Sequence, residues 1–88
     1  MKIKDGFMMH KVGERAVVVA VGENTKNFHG MINLNSTGEF LWKMLENGAT
    51  EKEMLTSMLD TYEVAPEEAE KGVKGFVEKL KAAGVLEE

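Results

Sequence analysis

The chain has 88 residues, 43% of them hydrophobic and 30% charged, and a formal charge of −4. That composition suits one small globular domain over residues 1–88, with a single modest core. The lack of cysteine rules out disulfides, thiolate metal sites and cysteine nucleophiles.

No apolar run approaches the ~20 residues needed to span a bilayer. The opening MKIKDGFMMHK has no apolar core of the signal-peptide kind. The expectation is a cytoplasmic protein that does not engage a membrane. Catalytic material is sparse: His10, His29, Asp5, Asp60, Ser36 and Ser57 are the only histidines, aspartates and serines. The histidines lack metal-ligand spacing, and no glycine-rich phosphate loop occurs. The chain therefore reads as a non-enzyme without metal or cofactor.

Residues 7–12 (FMMHKV), largely apolar, and 16–21 (AVVVAV), rich in β-branched valine, are separated by Gly13-Glu14-Arg15. They predict a hairpin with a short glycine-containing loop. The second run scarcely alternates, as expected of a central strand covered on both faces for part of its length. Residues 22–30 (GENTKNFHG) read as a loop, and a third strand is predicted over 31–35. Three helices follow. The first opens at Ser36-x-x-Glu39, a capping-box spacing, with Asn35 as an alternative cap. It presents Phe40, Leu41, Met44 and Leu45 on one face and stops at Gly48. Trp42 lies off the centre of that face and is expected to be partly exposed. Thr50-x-x-Glu53 starts the second helix, whose apolar positions are Met54, Leu55, Met58, Leu59 and Tyr62. Pro66 starts the third, with Glu67 and Glu68 at its positive end. Its buried stripe is predicted as Ala69, Val73, Phe76 and Leu80, with Gly84 ending it and Val85 and Leu86 folding back onto the core. Gly72 and Gly75 weaken this helix; either they let another element approach closely or they are tolerated defects.

The order β-β-β-α-α-α predicts an α+β fold, a three-stranded antiparallel meander followed by a three-helix bundle, winged-helix-like in arrangement. A winged helix first suggests DNA. Residues 1–35 carry five basic and three acidic groups, however, and residues 36–88 carry six and twelve. A recognition helix opening Pro66-Glu67-Glu68 with Glu70 would turn three carboxylates toward a polyanion. Arg15 is the chain's one arginine, so guanine-reading forks are nearly absent. A DNA-binding regulator is thus the weaker alternative.

The third strand offers a stronger reading. In a meander it is an edge, and residues 31–35 carry no lysine, proline or charge to protect it. Such an edge accepts an extended peptide as an added strand. Met31 falls on its solvent side, where a flexible thioether suits an adaptable surface. On the third helix Val77 sits at the rim of the predicted stripe, with Lys74 and Lys81 further round the same flank. A groove between strand and flank would have an apolar floor and two ammonium groups, suited to an extended peptide bearing apolar side chains and a carboxylate. The plainer reading is that Val77 is core and Glu70–Lys74 an ordinary i,i+4 pair. A module whose edge pairs with its own copy is a further alternative, so both monomer and dimer are open.

Asn35-x-Thr37-Gly38-x-x-x-Trp42 followed by Gly48-x-Thr50-x-x-Glu53, with TYEV, GFVEKLKAAGVL and the preceding hairpin, resembles the PqqD-like family, whose namesake is the small D protein of pyrroloquinoline quinone biosynthesis. The resemblance runs over roughly residues 5–86. It implies a peptide-recognition element for ribosomally made, modified peptides, which binds the leader of a precursor peptide and delivers it to a modifying enzyme, often a radical S-adenosylmethionine protein. It also implies that the leader adds beside the third strand in a cleft bordered by the third helix. Carried onto this chain, the cleft comprises Met31, Ile32, Asn33, Leu34 and Asn35 with Val73, Lys74, Val77 and Lys81. Ala65-Pro66 and Gly72 depart from the usual family pattern, where a polar helix start and an acidic residue are common.

Overall fold

The computed structural model describes residues 1–21 and 31–87; the segment expected as a loop over 22–30, including His29, lies outside the described residues. In chain order the elements are β1 (Lys2–Ile3), β2 (Phe7–Val12), β3 (Arg15–Ala20), β4 (Ile32–Leu34), α1 (Ser36–Asn47), α2 (Glu51–Thr61), α3 (Pro66–Ala82) and β5 (Leu86–Glu87). The three predicted strands and three predicted helices are all present. The two-residue β1 and β5 are additions.

β2, β3 and β4 form an antiparallel sheet in that order. The β2–β3 register pairs Val12 with Arg15, which leaves Gly13-Glu14 as a two-residue loop. Gly13 has φ +65°, the positive value that a II′ hairpin needs at its first central residue. Ala16, Val18, Ile32 and Leu34 face inward and are buried, while Met8, Val12 and Met31 are exposed on the other face. The alternation expected of a half-buried antiparallel sheet is thereby met. Val17 and Val19 remain half-buried on the outer face.

The helix ends follow their side chains. Asn35, not Ser36, caps α1: its Oδ1 accepts the Gly38 N–H at 2.8 Å. At α2 the Thr50 hydroxyl accepts the Glu53 N–H, and the Glu53 carboxylate accepts the Thr50 N–H, both at 3.0 Å. Replacing Thr50 with alanine orphans one of these donors and should cost about 1 kcal/mol in urea denaturation. Pro66 occupies the first turn of α3, where its missing N–H breaks no bond. Beyond α3 the chain turns at Gly84, φ +75°, and the Val85 N–H donates back to the Leu80 carbonyl at 3.0 Å.

That turn sends Val85 and Leu86 into the core, as expected. It also brings β5 beside β1, with Ile3 opposite Leu86. The Lys4 N–H donates to the Val85 carbonyl at 2.8 Å, and the Ala49 N–H to the Met1 carbonyl at 2.9 Å. The N-terminal segment thus ties the chain's end to the α1–α2 linker.

The core differs from the expected stripes in three places. Trp42 is fully buried rather than partly exposed. α1 packs against β1 as well as β3 and β4, so a wider arc of it is covered than one sheet would cover. Val77 is buried with Ala69, Val73 and Leu80, whereas Phe76 is only half-buried. Leu59 is 39% exposed. Among the described residues no helix is long and apolar enough to cross a membrane.

Candidate functional site

β4 is the margin of its sheet: among the described residues it pairs with β3 alone. Which of its amides point outward follows from the ladder. The Val21 N–H donates to the Gly6 carbonyl at 2.8 Å, continuing the register in which Val12 faces Arg15. Residues of an antiparallel strand alternate in the side to which they hydrogen-bond. The odd-numbered residues of β3 therefore turn toward β2, and Ala16 and Val18 turn toward β4. Their partners are Leu34 and Ile32, while Asn33 lies opposite Val17. Asn33 consequently directs its N–H and C=O away from the sheet. Ile32 and Leu34 spend their backbone groups on β3 and their side chains on the core, at 7% and 4% exposure.

Beside this margin runs an open groove of about 860 Å³. Asn33, Leu34, Asn35 and Ser36 form one bank, and Gly72, Phe76 and Lys79 of α3 form the other. Gly38 and Leu41 of α1 contribute to its lining, with Glu14 and Arg15 of the hairpin. The α3 residues are spaced four and three apart and so share one helical face. Phe76 is seated by a close fit. A Cβ added at Gly38 would lie 3.4 Å from its ring and 3.3 Å from the capping Asn35 Oδ1. The absent side chain at Gly38 thus lets α1 start directly beneath the ring.

The expected site residues divide. Asn33, Leu34 and Asn35 line the groove, and Met31 is 63% exposed at the start of the same margin. Val73 and Val77 are core residues at 2% exposure each. Lys74 lies toward α2, in a shallow depression with Glu51, Lys52, Leu55, Glu70 and Val73. Its ammonium pairs with Glu70 at 3.0 Å. Hydrogen bonding and charge from Glu70 hold its pKa above the ordinary lysine value. Lys81 is exposed and does not border the groove. The structure therefore does not bring Val73, Lys74, Val77 and Lys81 together with β4 in this groove.

The groove also holds Arg15, Phe76 and Lys79, which were not among the expected site residues. A phenylalanine at the margin of a helix stripe, followed three residues later by a lysine, was the available signal. Arg15 and Lys79 are in no ion pair with another described residue, and Glu14 is the one carboxylate in the lining. The groove thus combines an apolar floor with a slight cationic excess.

Among the described residues, Gly72 and Gly75 do not admit a neighbouring element: a Cβ at either would meet no described heavy atom within 4 Å. Each weakens the helix by up to ~1 kcal/mol relative to alanine.

No curated protein matches the chain in sequence. Two solved structures share its fold. TbiB1 in complex with the TbiA(beta) leader peptide superposes with a TM-score of 0.80 at 22% identity, covering 99% of this chain and 95% of that one. Lasso peptide synthetase B1 complexed with the leader peptide gives 0.76 at 18% identity, with coverages of 96% and 93%. The sequence model for coenzyme PQQ synthesis protein D (PqqD) matches residues 15–86, and on that match the chain belongs to the PqqD family.

Proposed function

We propose that this protein is a peptide-recognition adaptor. It binds the leader segment of a ribosomally made precursor peptide as an extra strand along β4 and presents it to a modifying enzyme, without chemistry of its own. The observation that carries this reading is the uncharged β4 margin, with Asn33 turned outward, lying directly beside a groove with apolar lining. Family membership supports it, as do the two structural neighbours, both solved with leader peptides. For the enzyme partner, the family resemblance favours a radical S-adenosylmethionine protein.

The energetics assign complementary tasks to margin and groove. A guest strand gains roughly 1 kcal/mol net per ladder bond, and β4 is short enough to offer only a few. Ordering the peptide offsets much of that gain. Affinity and selectivity then depend on side chains entering the groove, where the partly exposed Phe76 supplies apolar contact and Arg15 and Lys79 attract a carboxylate. DNA fits poorly, because Glu67, Glu68 and Glu70 are all exposed at the start of α3.

An amide-shift titration with a candidate leader peptide tests the reading. Shifts should gather at 31–35, 72, 76 and 79; shifts elsewhere, or none, would count against it. Charge reversal distinguishes the two flanks of α3. Lys79→Glu should weaken binding about fivefold to tenfold, the loss of a partly screened charge contact, while Lys74→Glu changes it little. Equal losses from both variants would return the binding flank to Lys74. The same margin could instead pair with a second copy, and sedimentation across a concentration series would reveal that as a dimer.

A further inference from the structure

Gly72 is a helical residue with no conformational need for glycine. Its φ is not positive, and it has no neighbour among the described residues that a methyl group would strike. Alanine there would strengthen α3. Local choices that work against the fold tend to fall at functional positions, and glycine commonly serves where a ligand must approach backbone closely. Gly72 meets that condition because it lines the groove opposite Asn33 and Leu34, one helical turn before Phe76. Gly75 is equally unencumbered but does not border the groove.

Resting on the peptide-binding reading above, we propose that Gly72 sets the size of the guest side chain that the groove accepts. The bare backbone there leaves room for a bulky apolar side chain, which lies across the helix at Gly72 and abuts the half-buried Phe76 ring. A side chain at position 72 occupies that space itself and restricts the guest to small residues.

A displayed random-peptide library selected in parallel on the wild type, Gly72→Ala, Gly72→Leu and Gly75→Ala tests this. The wild type and Gly75→Ala should enrich peptides with a large apolar residue at one fixed position. Gly72→Leu should shift that position to glycine, alanine or serine, with Gly72→Ala intermediate. It should also bind a wild-type-selected peptide about tenfold or more weakly, as overpacking a filled site does. Shortening the one bulky residue of that peptide should recover binding to Gly72→Leu while weakening binding to the wild type. Circular dichroism melts at least as high as the wild type's would show that the variants fold, as expected of stronger helix formers. Identical peptide profiles and affinities for the wild type and both Gly72 variants would overturn the proposal and leave peptide binding intact. If the wild type enriches no peptide at all, the adaptor reading falls and this one with it.

Discussion

Asn33→Pro should leave the domain folded and weaken leader-peptide binding about a hundredfold, a figure built from one lost edge bond, the guest carbonyl it leaves unpaired and the clash of the proline ring with the guest backbone. The substitution removes one N–H and adds a ring at the centre of β4. The alternation of the sheet turns that N–H outward, because Asn33 faces Val17 across a pair that exchanges no ladder bonds. Proline is tolerated on an edge strand when its nitrogen faces outward, and Ile32 before it is already in the extended conformation that proline requires. The bonds that join β4 to β3, on Ile32 and Leu34, are untouched. The guest strand loses a donor and meets the ring where its own backbone should lie. Isothermal titration against a leader peptide, with circular dichroism as the folding control, reads both halves of the prediction. Undiminished affinity in a folded variant would mean that the peptide does not pair with β4.

Most of the architecture was legible in the sequence because its signals are local. The hairpin follows from a largely apolar run and a valine-rich run on either side of Gly13, and the helix boundaries from Thr50, Glu53, Pro66 and the stops at Gly48 and Gly84. Asn35 and Ser36 were indistinguishable as caps, since either side chain reaches a first-turn amide. β1 and β5 left no trace, because a two-residue strand has no periodicity. The open edge was legible as well: an uncharged third strand in a meander is an edge from chain order alone.

Its groove was only half legible, for a geometric reason. The apolar arc of α3 includes Ala69, Val73, Phe76, Val77 and Leu80, and periodicity cannot say which border of that arc faces β4 and which faces α2. Rotation of the helix in place decides it. Val77 goes inward, Phe76 comes to the rim, and the lysine near the groove is Lys79, while Lys74 lies toward α2 with Glu70. The difference amounts to part of one helical turn, yet it exchanges nearly every α3 side chain that borders this groove.

Trp42→Ala should destabilise the domain by roughly 3–5 kcal/mol, enough to leave much of it unfolded if its stability lies near the lower end of the usual ~5–15 kcal/mol. Trp42 is fully buried among the largest core side chains, on a helix that packs against β1, β3 and β4, so its removal leaves a large cavity in the core. Trp42→Phe separates packing from polarity. The indole N–H is buried without a hydrogen-bond partner among the described residues, a situation that itself costs on the order of 1–3 kcal/mol. Phenylalanine forfeits ring volume but removes that unpaired donor, and the two effects oppose one another. Urea denaturation followed by circular dichroism should therefore place Trp42→Phe within about 1.5 kcal/mol of the wild type, far from Trp42→Ala. A phenylalanine variant as unstable as the alanine one would overturn the expectation that relief of the unpaired donor offsets the lost ring volume. Because Leu41, the next residue along α1, lines the groove, loosening this helix should also weaken peptide binding in proportion to the folded fraction lost. Measuring affinity per folded molecule would then give a value close to the wild type's, since Trp42 itself does not border the groove.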